Sequence, residues 1–261
     1  LKLAKVTLEV KAISKRFGGV LALNQVDVSI LENSRHVIIG PNGSGKSTLI
    51  NVLSGVYTPE GGDVFFLGEK ITGLPPYRIT AKGIARTFQN IRPFRGMSVW
   101  ENIALGLHCR THYGLFEAIS HLGREPVESK KIDSKVTELA EFFEIGNLLS
   151  ANMQSLPYGK QRIIEIARAL ASEPKLLLLD EPAAGMNTAE AQALAQTIKR
   201  ISALGVTVAL IEHNMEFVKE IADIITVLDS GEKIAEGSFL DVQSNRRVVE
   251  AYLGKRVAAN A

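Results

Sequence analysis

The chain has 261 residues, with 30 Lys and Arg against 28 Asp and Glu and a formal net charge of +2. Hydrophobic residues make up 46% and charged residues 22%, which is enough apolar surface for a large core and excludes general disorder. The balanced charge lacks the basic stripe of a phosphate-backbone binder, so no nucleic acid partner is expected. One cysteine, Cys109, permits no internal disulfide. No run approaches the ~18 consecutive apolar residues that span a bilayer, and the opening LKLAKVTLEV has no apolar stretch of the kind a signal peptide needs, so any membrane role is expected to be peripheral.

In chain order, residues 6–13, 26–30 and 64–67 read as short strands, the last preceded by the turn pair Gly61-Gly62. Residues 36–39 form a buried-looking strand that runs into a Gly-rich loop, with a helix expected over 46–54. From about 90 to 170 the pattern is helical: Ile132, Val136, Leu139, Phe142 and Phe143 recur near the 3.6-residue period, and Gly114, Gly123, Pro126 and Gly146 interrupt it. Residues 175–179 are wholly apolar, as in a parallel strand buried on both faces. A helix over 189–204 stops at Gly205, and a strand follows over 206–211. Residues 224–228 and 233–235 read as a hairpin, and a last helix lies over 245–253. Strand–loop–helix alternation at both ends predicts an α/β fold with a mainly parallel sheet and a helical lobe inserted in its middle.

The strongest motif is Gly40-Pro41-Asn42-Gly43-Ser44-Gly45-Lys46-Ser47, followed by Thr48, which places G-x-x-x-x-G-K-[ST] between a predicted strand and a predicted helix. Glycines let the backbone wrap a phosphate chain, their N–H groups form an anion nest, and the helix adds its positive N-terminal end. Lys46 is suited to reach the β- and γ-phosphates and the Ser47 hydroxyl to bind Mg²⁺. The second motif is Leu176-Leu177-Leu178-Leu179-Asp180-Glu181-Pro182. Its apolar strand delivers two carboxylates at the carboxyl end, where open α/β sheets bind ligands. Asp180 is suited to hold Mg²⁺, and Glu181 to polarise or deprotonate an attacking water. Together the two motifs describe a nucleotide-hydrolysis site.

With these motifs in this order, residues 6–254 resemble the ATP-binding subunits of ABC transporters. The resemblance implies a P-loop NTPase fold with a mainly parallel core sheet, an antiparallel β subdomain and an inserted helical subdomain, divided as 1–89 and 165–261 against 90–164. It implies that Gln89, in Arg86-Thr87-Phe88-Gln89-Asn90, contacts Mg²⁺ or the attacking water. It makes Tyr158, Gly159 and Lys160, in Leu156-Pro157-Tyr158-Gly159-Lys160-Gln161-Arg162, a signature loop that touches the ATP of a partner cassette. This loop departs from the usual L-S-G-G-Q, with Pro157 in place of a serine. His213, in Glu212-His213-Asn214, falls where the family has a switch histidine. Asn187, in Ala183-Ala184-Gly185-Met186-Asn187, stands where many cassettes have Asp, and Phe17 resembles the aromatic that stacks on adenine.

Strings such as Leu156-Pro157-Tyr158-Gly159, Pro182-Ala183-Ala184-Gly185-Met186-Asn187 and Ala251-Tyr252-Leu253-Gly254 resemble the branched-chain amino acid uptake group, and Val99-Trp100-Glu101-Asn102-Ile103 the larger of its two ATPase subunits. Urea or amide importers and lipopolysaccharide exporters share much of them. The resemblance implies ATP and Mg²⁺ as ligands and a closed homo- or heterodimer of cassettes. It also implies permease subunits contacted through residues 91–98, an indirect link to a solute-binding protein, and a peripheral place on the cytoplasmic face of the cell membrane. A permease-free soluble ATPase would carry paired cassettes or long coiled-coil insertions, and this chain has neither.

Overall fold

The computed structural model describes residues 5–89, 94, 96–107 and 126–253. Cys109, Gly114, Gly123, residues 91–93 and 95 of the stretch 91–98, and the tail 255–261 lie outside the described residues. The first two strands, β1 (Val6–Phe17) and β2 (Val20–Leu31), pair antiparallel and join β4 (Gly61–Phe66) and the short β5 (Glu69–Lys70) in a four-stranded sheet, order β2-β1-β4-β5. A second, six-stranded sheet has the order β10-β9-β3-β8-β7-β6. It contains β3 (Arg35–Ile39), β6 (Ile84–Arg86), β7 (Leu176–Asp180), β8 (Thr207–Ile211), β9 (Ile224–Asp229) and β10 (Glu232–Gly237). Every pairing in it is parallel except the β9–β10 hairpin. The helices are α1 (Lys46–Leu53), α2 (Pro76–Lys82), α3 (Val99–Gly106), α4 (Pro126–Phe142), α5 (Tyr158–Ala171), α6 (Thr188–Ala203), α7 (Met215–Ile221), α8 (Phe239–Ser244) and α9 (Arg246–Leu253).

The wholly apolar strands are explained by the sheet's two covered faces. All five residues of β7 and of β8 are buried. Successive side chains point to opposite faces. Leu177 and Leu179 pack with Val208, Leu210 and the inward stripes of α5, α6 and α7, whereas Leu176 and Leu178 pack with Ala209, Ile211, α1 and the antiparallel sheet. The helical segment joins the first of these clusters through Val99, Ile103, Val136 and Leu139. Helix α6 begins at a reciprocal capping box between Asn187 and Glu190, so Asn187 serves as the helix cap. Helix α5 crosses the boundary expected at 164/165. Helices α2, α7 and α8 and the edge strands β5 and β6 have no counterpart among the elements predicted from sequence.

The register of the parallel sheet positions the site. Ile38 lies opposite Ile211 and Ile39 opposite Val227, while Asp180 lies opposite Ile211 and Arg86 opposite Leu178. Strands β3, β6, β7, β8 and β9 therefore end along one edge. The loops that leave this edge carry residues 40–48, Gln89, Glu181, His213 and Ser230.

His36, inside β3, is fully buried, with Nε2 2.8 Å from the Thr226 hydroxyl. Burial pushes its imidazole down to about 4, with the Glu236 carboxylate pulling the other way and Lys233 adding to the depression. The unfolded chain takes up this proton near pH 6.5, but the folded chain does so only near 4. His36 thus costs no stability above pH 6.5, and stability falls as pH drops through that window. Going from pH 7 to pH 5 should cost about 2 kcal/mol through this residue alone. Urea unfolding of wild type and His36→Asn at both pH values checks this: the variant should lack that part of the loss, and equal losses would contradict it.

Candidate active site

Residues 42–48 form one wall of a cavity of about 440 Å³ at the carboxyl edge. Val20, Leu21, Ala22, Glu181 and Ser230 line the rest. The loop is seated by close backbone approach. A Cβ on Gly40 would stand 2.0 Å from the Leu228 carbonyl oxygen, and one on Gly45 would stand 2.5 Å from that of Ala22. Both glycines have positive φ, at 151° and 102°. The Gly231 N–H donates to the Ser44 carbonyl at 3.1 Å, tying the loop to the β9–β10 turn. Gly45 caps α1 without a side-chain bond, so its first-turn N–H groups are left for an anion.

Lys46 is buried, and its ammonium donates to the carbonyls of Gly40 at 2.7 Å and Pro41 at 2.9 Å. Burial lowers its pKa below the ordinary lysine value, against the opposing pull of the Glu181 carboxylate. Asp180 is 6% exposed, and its Oδ2 accepts from Arg86 Nη2 at 3.0 Å. Burial raises the Asp180 carboxyl above its usual range while Arg86 pulls it back down. The other guanidinium nitrogen of Arg86 donates to Asn51 and Ser54 of α1, both at 2.7 Å, so one side chain joins β6, β7 and the helix after the phosphate loop.

Glu181 follows directly, with φ at 46° in the left-handed region. Its N–H donates to the Ile211 carbonyl at 3.0 Å, so the chain turns sharply and aims the carboxylate at the cavity. Gln89 Nε2 donates to Glu181 Oε2 at 2.9 Å, and His213 Nδ1 lies 3.8 Å from Glu181 Oε1. Three residues expected from separate motifs thus meet on one carboxylate.

Other expected residues lie apart from that cavity. Phe17 ends β1, 42% exposed, with its ring 5.1 Å from that of Tyr57; Val20, across the hairpin turn, lines the cavity instead. Tyr158, Gly159 and Lys160 form the first turn of α5 and do not line it. They face the start of α6: a Cβ on Gly159 would stand 3.0 Å from Glu190 Oε1, and one on Gly185 3.6 Å from the Tyr158 ring.

Several supporting residues carried no signal as isolated letters. Glu212 is buried and accepts from the N–H groups of Ala183, His213 and Asn214, pinning the loops after β7 and β8 to each other. Burial pushes the Tyr252 phenol of α9 up, while the Gly40 backbone pulls it the other way. Arg86 and Arg162 lie within the motifs around Gln89 and Tyr158, whose patterns give neither arginine a role.

The left-handed backbone at Glu181 is a strain that glycine relieves. Glu181→Gly should be ~1 kcal/mol more stable than Glu181→Ala, which keeps the Cβ. Chemical denaturation of both variants checks this, and an equal or lower stability for the glycine variant would contradict it.

The model of the ABC transporter family matches residues 23–184, and that of the branched-chain amino acid ATP-binding cassette transporter matches residues 232–258. The chain is 40% identical to the high-affinity branched-chain amino acid transport ATP-binding protein BraF of Pseudomonas aeruginosa, over 97% of this chain and 100% of that one. It is 39% identical to LivG of Escherichia coli, over 95% of this chain and 98% of that one. A nucleotide-free ATP-binding cassette from an ABC transporter superposes with a TM-score of 0.84 at 33% identity, covering 96% of this chain and 100% of that one. The ADP conformation of the cassette MJ1267 gives the same TM-score and identity, over 96% and 99%. The chain therefore belongs to the ABC transporter ATP-binding family, with the nucleotide-binding α/β fold of its P-loop ATPases.

Proposed function

We propose that this chain hydrolyses ATP for the uptake of branched-chain amino acids through membrane permease subunits, as one of two cassettes at the cytoplasmic face of the membrane. The observation that carries the catalytic reading is the convergence of Gln89 and His213 on Glu181 at the wall of the phosphate-loop cavity. The solute reading is supported by the names of the relatives and by the match over residues 232–258.

On this reading the N–H groups of residues 40–48 enclose the phosphates, and Lys46 leaves the carbonyls of Gly40 and Pro41 to donate to the β- and γ-phosphates. Glu181 takes a proton from water as the water oxygen bonds the γ-phosphorus and the bond to the β–γ bridging oxygen breaks. Gln89 and His213 orient that water and the carboxylate. The offered metal donors are all oxygens, from Ser47, Asp180 and the Gln89 amide. That set suits Mg²⁺, which takes one or two protein ligands beside phosphates and waters. Among the described residues no group of three His, Cys, Asp or Glu forms an all-protein cage, which agrees with a cation brought by the nucleotide. When bound, Mg²⁺ neutralises charge between the β- and γ-phosphates.

The exposed first turn of α5 is the surface we assign to a partner cassette's ATP, and residues 90–164 the helical lobe. A second, mostly apolar cavity of about 370 Å³ beside β6, with Phe88, Phe94, Leu105 and Arg168 in its lining, is the seat we assign to a permease helix. Among the described residues no helix is long and apolar enough to cross a membrane, so attachment would run through such a seat.

Glu181→Gln should bind ATP within ~3-fold of wild type, lose at least ~100-fold in turnover, and fail to restore leucine, isoleucine and valine uptake to cells lacking the chain. Lys46→Ala should weaken ATP binding at least ~10-fold by titration. Retained turnover in the first variant would remove Glu181 as the base, unchanged affinity in the second would remove the phosphate-loop role, and normal leucine uptake in the deletion strain would reassign the solute.

A further inference from the structure

Arg162 is 0% exposed, on the inward face of α5. A guanidinium this far from water is retained at a cost unless its donors are used. Nη1 donates to the Phe88 carbonyl at 2.7 Å and to Glu165 Oε2 at 2.8 Å, and the buried Glu165 balances its charge. Nη2 donates to the Gln89 carbonyl at 2.7 Å and to the Tyr158 hydroxyl at 3.1 Å. Tyr158 opens α5 at the surface and is 42% exposed. At the other end, the Gln89 side chain donates to Glu181 at 2.9 Å. An unbroken line of hydrogen bonds therefore runs from the exposed turn at 158 through Arg162 and Gln89 to the carboxylate in the cavity.

We propose that Arg162 is a positioning residue that holds Gln89 against Glu181 and makes that geometry depend on the seating of the signature loop. The planar fork of arginine meets two consecutive carbonyls, a carboxylate and a hydroxyl at once, which a lysine ammonium does not. Glu181 is fixed by β7 and by its bond to Ile211, so a shift of the first turn of α5 moves Gln89 rather than the strand. Contact between Tyr158 and the nucleotide of a partner cassette is thereby reported to the base of Tyr158's own chain. The inference rests on the reading of Glu181 as that base.

ATP affinity and steady-state hydrolysis of the purified full-length chain test it. Arg162→Lys should keep its far-ultraviolet circular dichroism and bind ATP within ~3-fold of wild type, but lose ~10-fold or more in kcat. Tyr158→Phe, a change at the surface, should lose ~3-fold in kcat, and should lose nothing further when Gln89 is already Ala. The second test stands by itself if the lysine variant does not fold. A folded Arg162→Lys with wild-type kcat, a parallel loss of ATP binding and turnover, or a full Tyr158→Phe effect in the Gln89→Ala background would each overturn the proposal. Glu181→Gln assayed alongside separates the two readings. Turnover retained there defeats the base assignment, whereas turnover lost there but intact in Arg162→Lys defeats this inference alone.

Discussion

The backbone of the phosphate loop lies in direct contact with the backbones of two neighbouring strands, at Gly40 against Leu228 and at Gly45 against Ala22. No side chain fits between them, so the curl of residues 40–48 is set by the sheet edge and not by the loop's own flexibility. The same contact brings Val20–Ala22 from the antiparallel sheet and Ser230 from the β9–β10 turn to the cavity wall. The Asn24 N–H donates to Gly231 at 2.8 Å, and Gly231 donates to Ser44, so the two sheets and the loop are held as one unit. An anion nest works only if its N–H groups are aimed before the anion arrives, and this packing aims them.

The parallel register is the second half of the arrangement. Buried apolar strands deliver Asp180 and Glu181 to the edge without freedom to wander, and the residues that follow are held by specific bonds. Arg86 holds Asp180, Gln89 and His213 approach Glu181, and Glu212 holds the loops after β7 and β8. Both Asp180 and Glu212 are buried carboxylates: Glu212 accepts N–H groups at both oxygens, and Asp180 is paired with the Arg86 guanidinium through Oδ2. Asp180 and Glu212 are shut off from water, whereas Gln89 and His213 meet Glu181 at the open side of the site.

Most of the sheet and its principal loops were legible because their signals are local. The run Leu176–Asp180 is apolar at every position but its last, and G-x-x-x-x-G-K-S carries its own turn and helix start. The helix α6 was legible from its period and from Gly205. The edge strand β6 was not, since three residues give no period and their pairing with β7 comes from distant sequence. Helix α7 was missed because its seven residues, just after His213, are too few to show a helical period. Arg162, Glu212 and Arg86 were illegible for a different reason. A charged letter in a helix or beside a motif looks like a solvated face, and only the tertiary arrangement buries it against carbonyls and N–H groups. Asn187, singled out because many cassettes have Asp there, also has a local role that the resemblance did not carry, as the cap of α6.

The most direct measurement is a crystal structure of the wild-type chain with Mg²⁺ and a non-hydrolysable ATP analogue. The account predicts a triphosphate inside the curl of residues 40–48. It also predicts the Lys46 ammonium moved from the Gly40 and Pro41 carbonyls onto the phosphate oxygens, and Glu181 facing the terminal phosphorus. An analogue bound elsewhere, or Lys46 still on its own loop with the phosphates beyond reach, would contradict it.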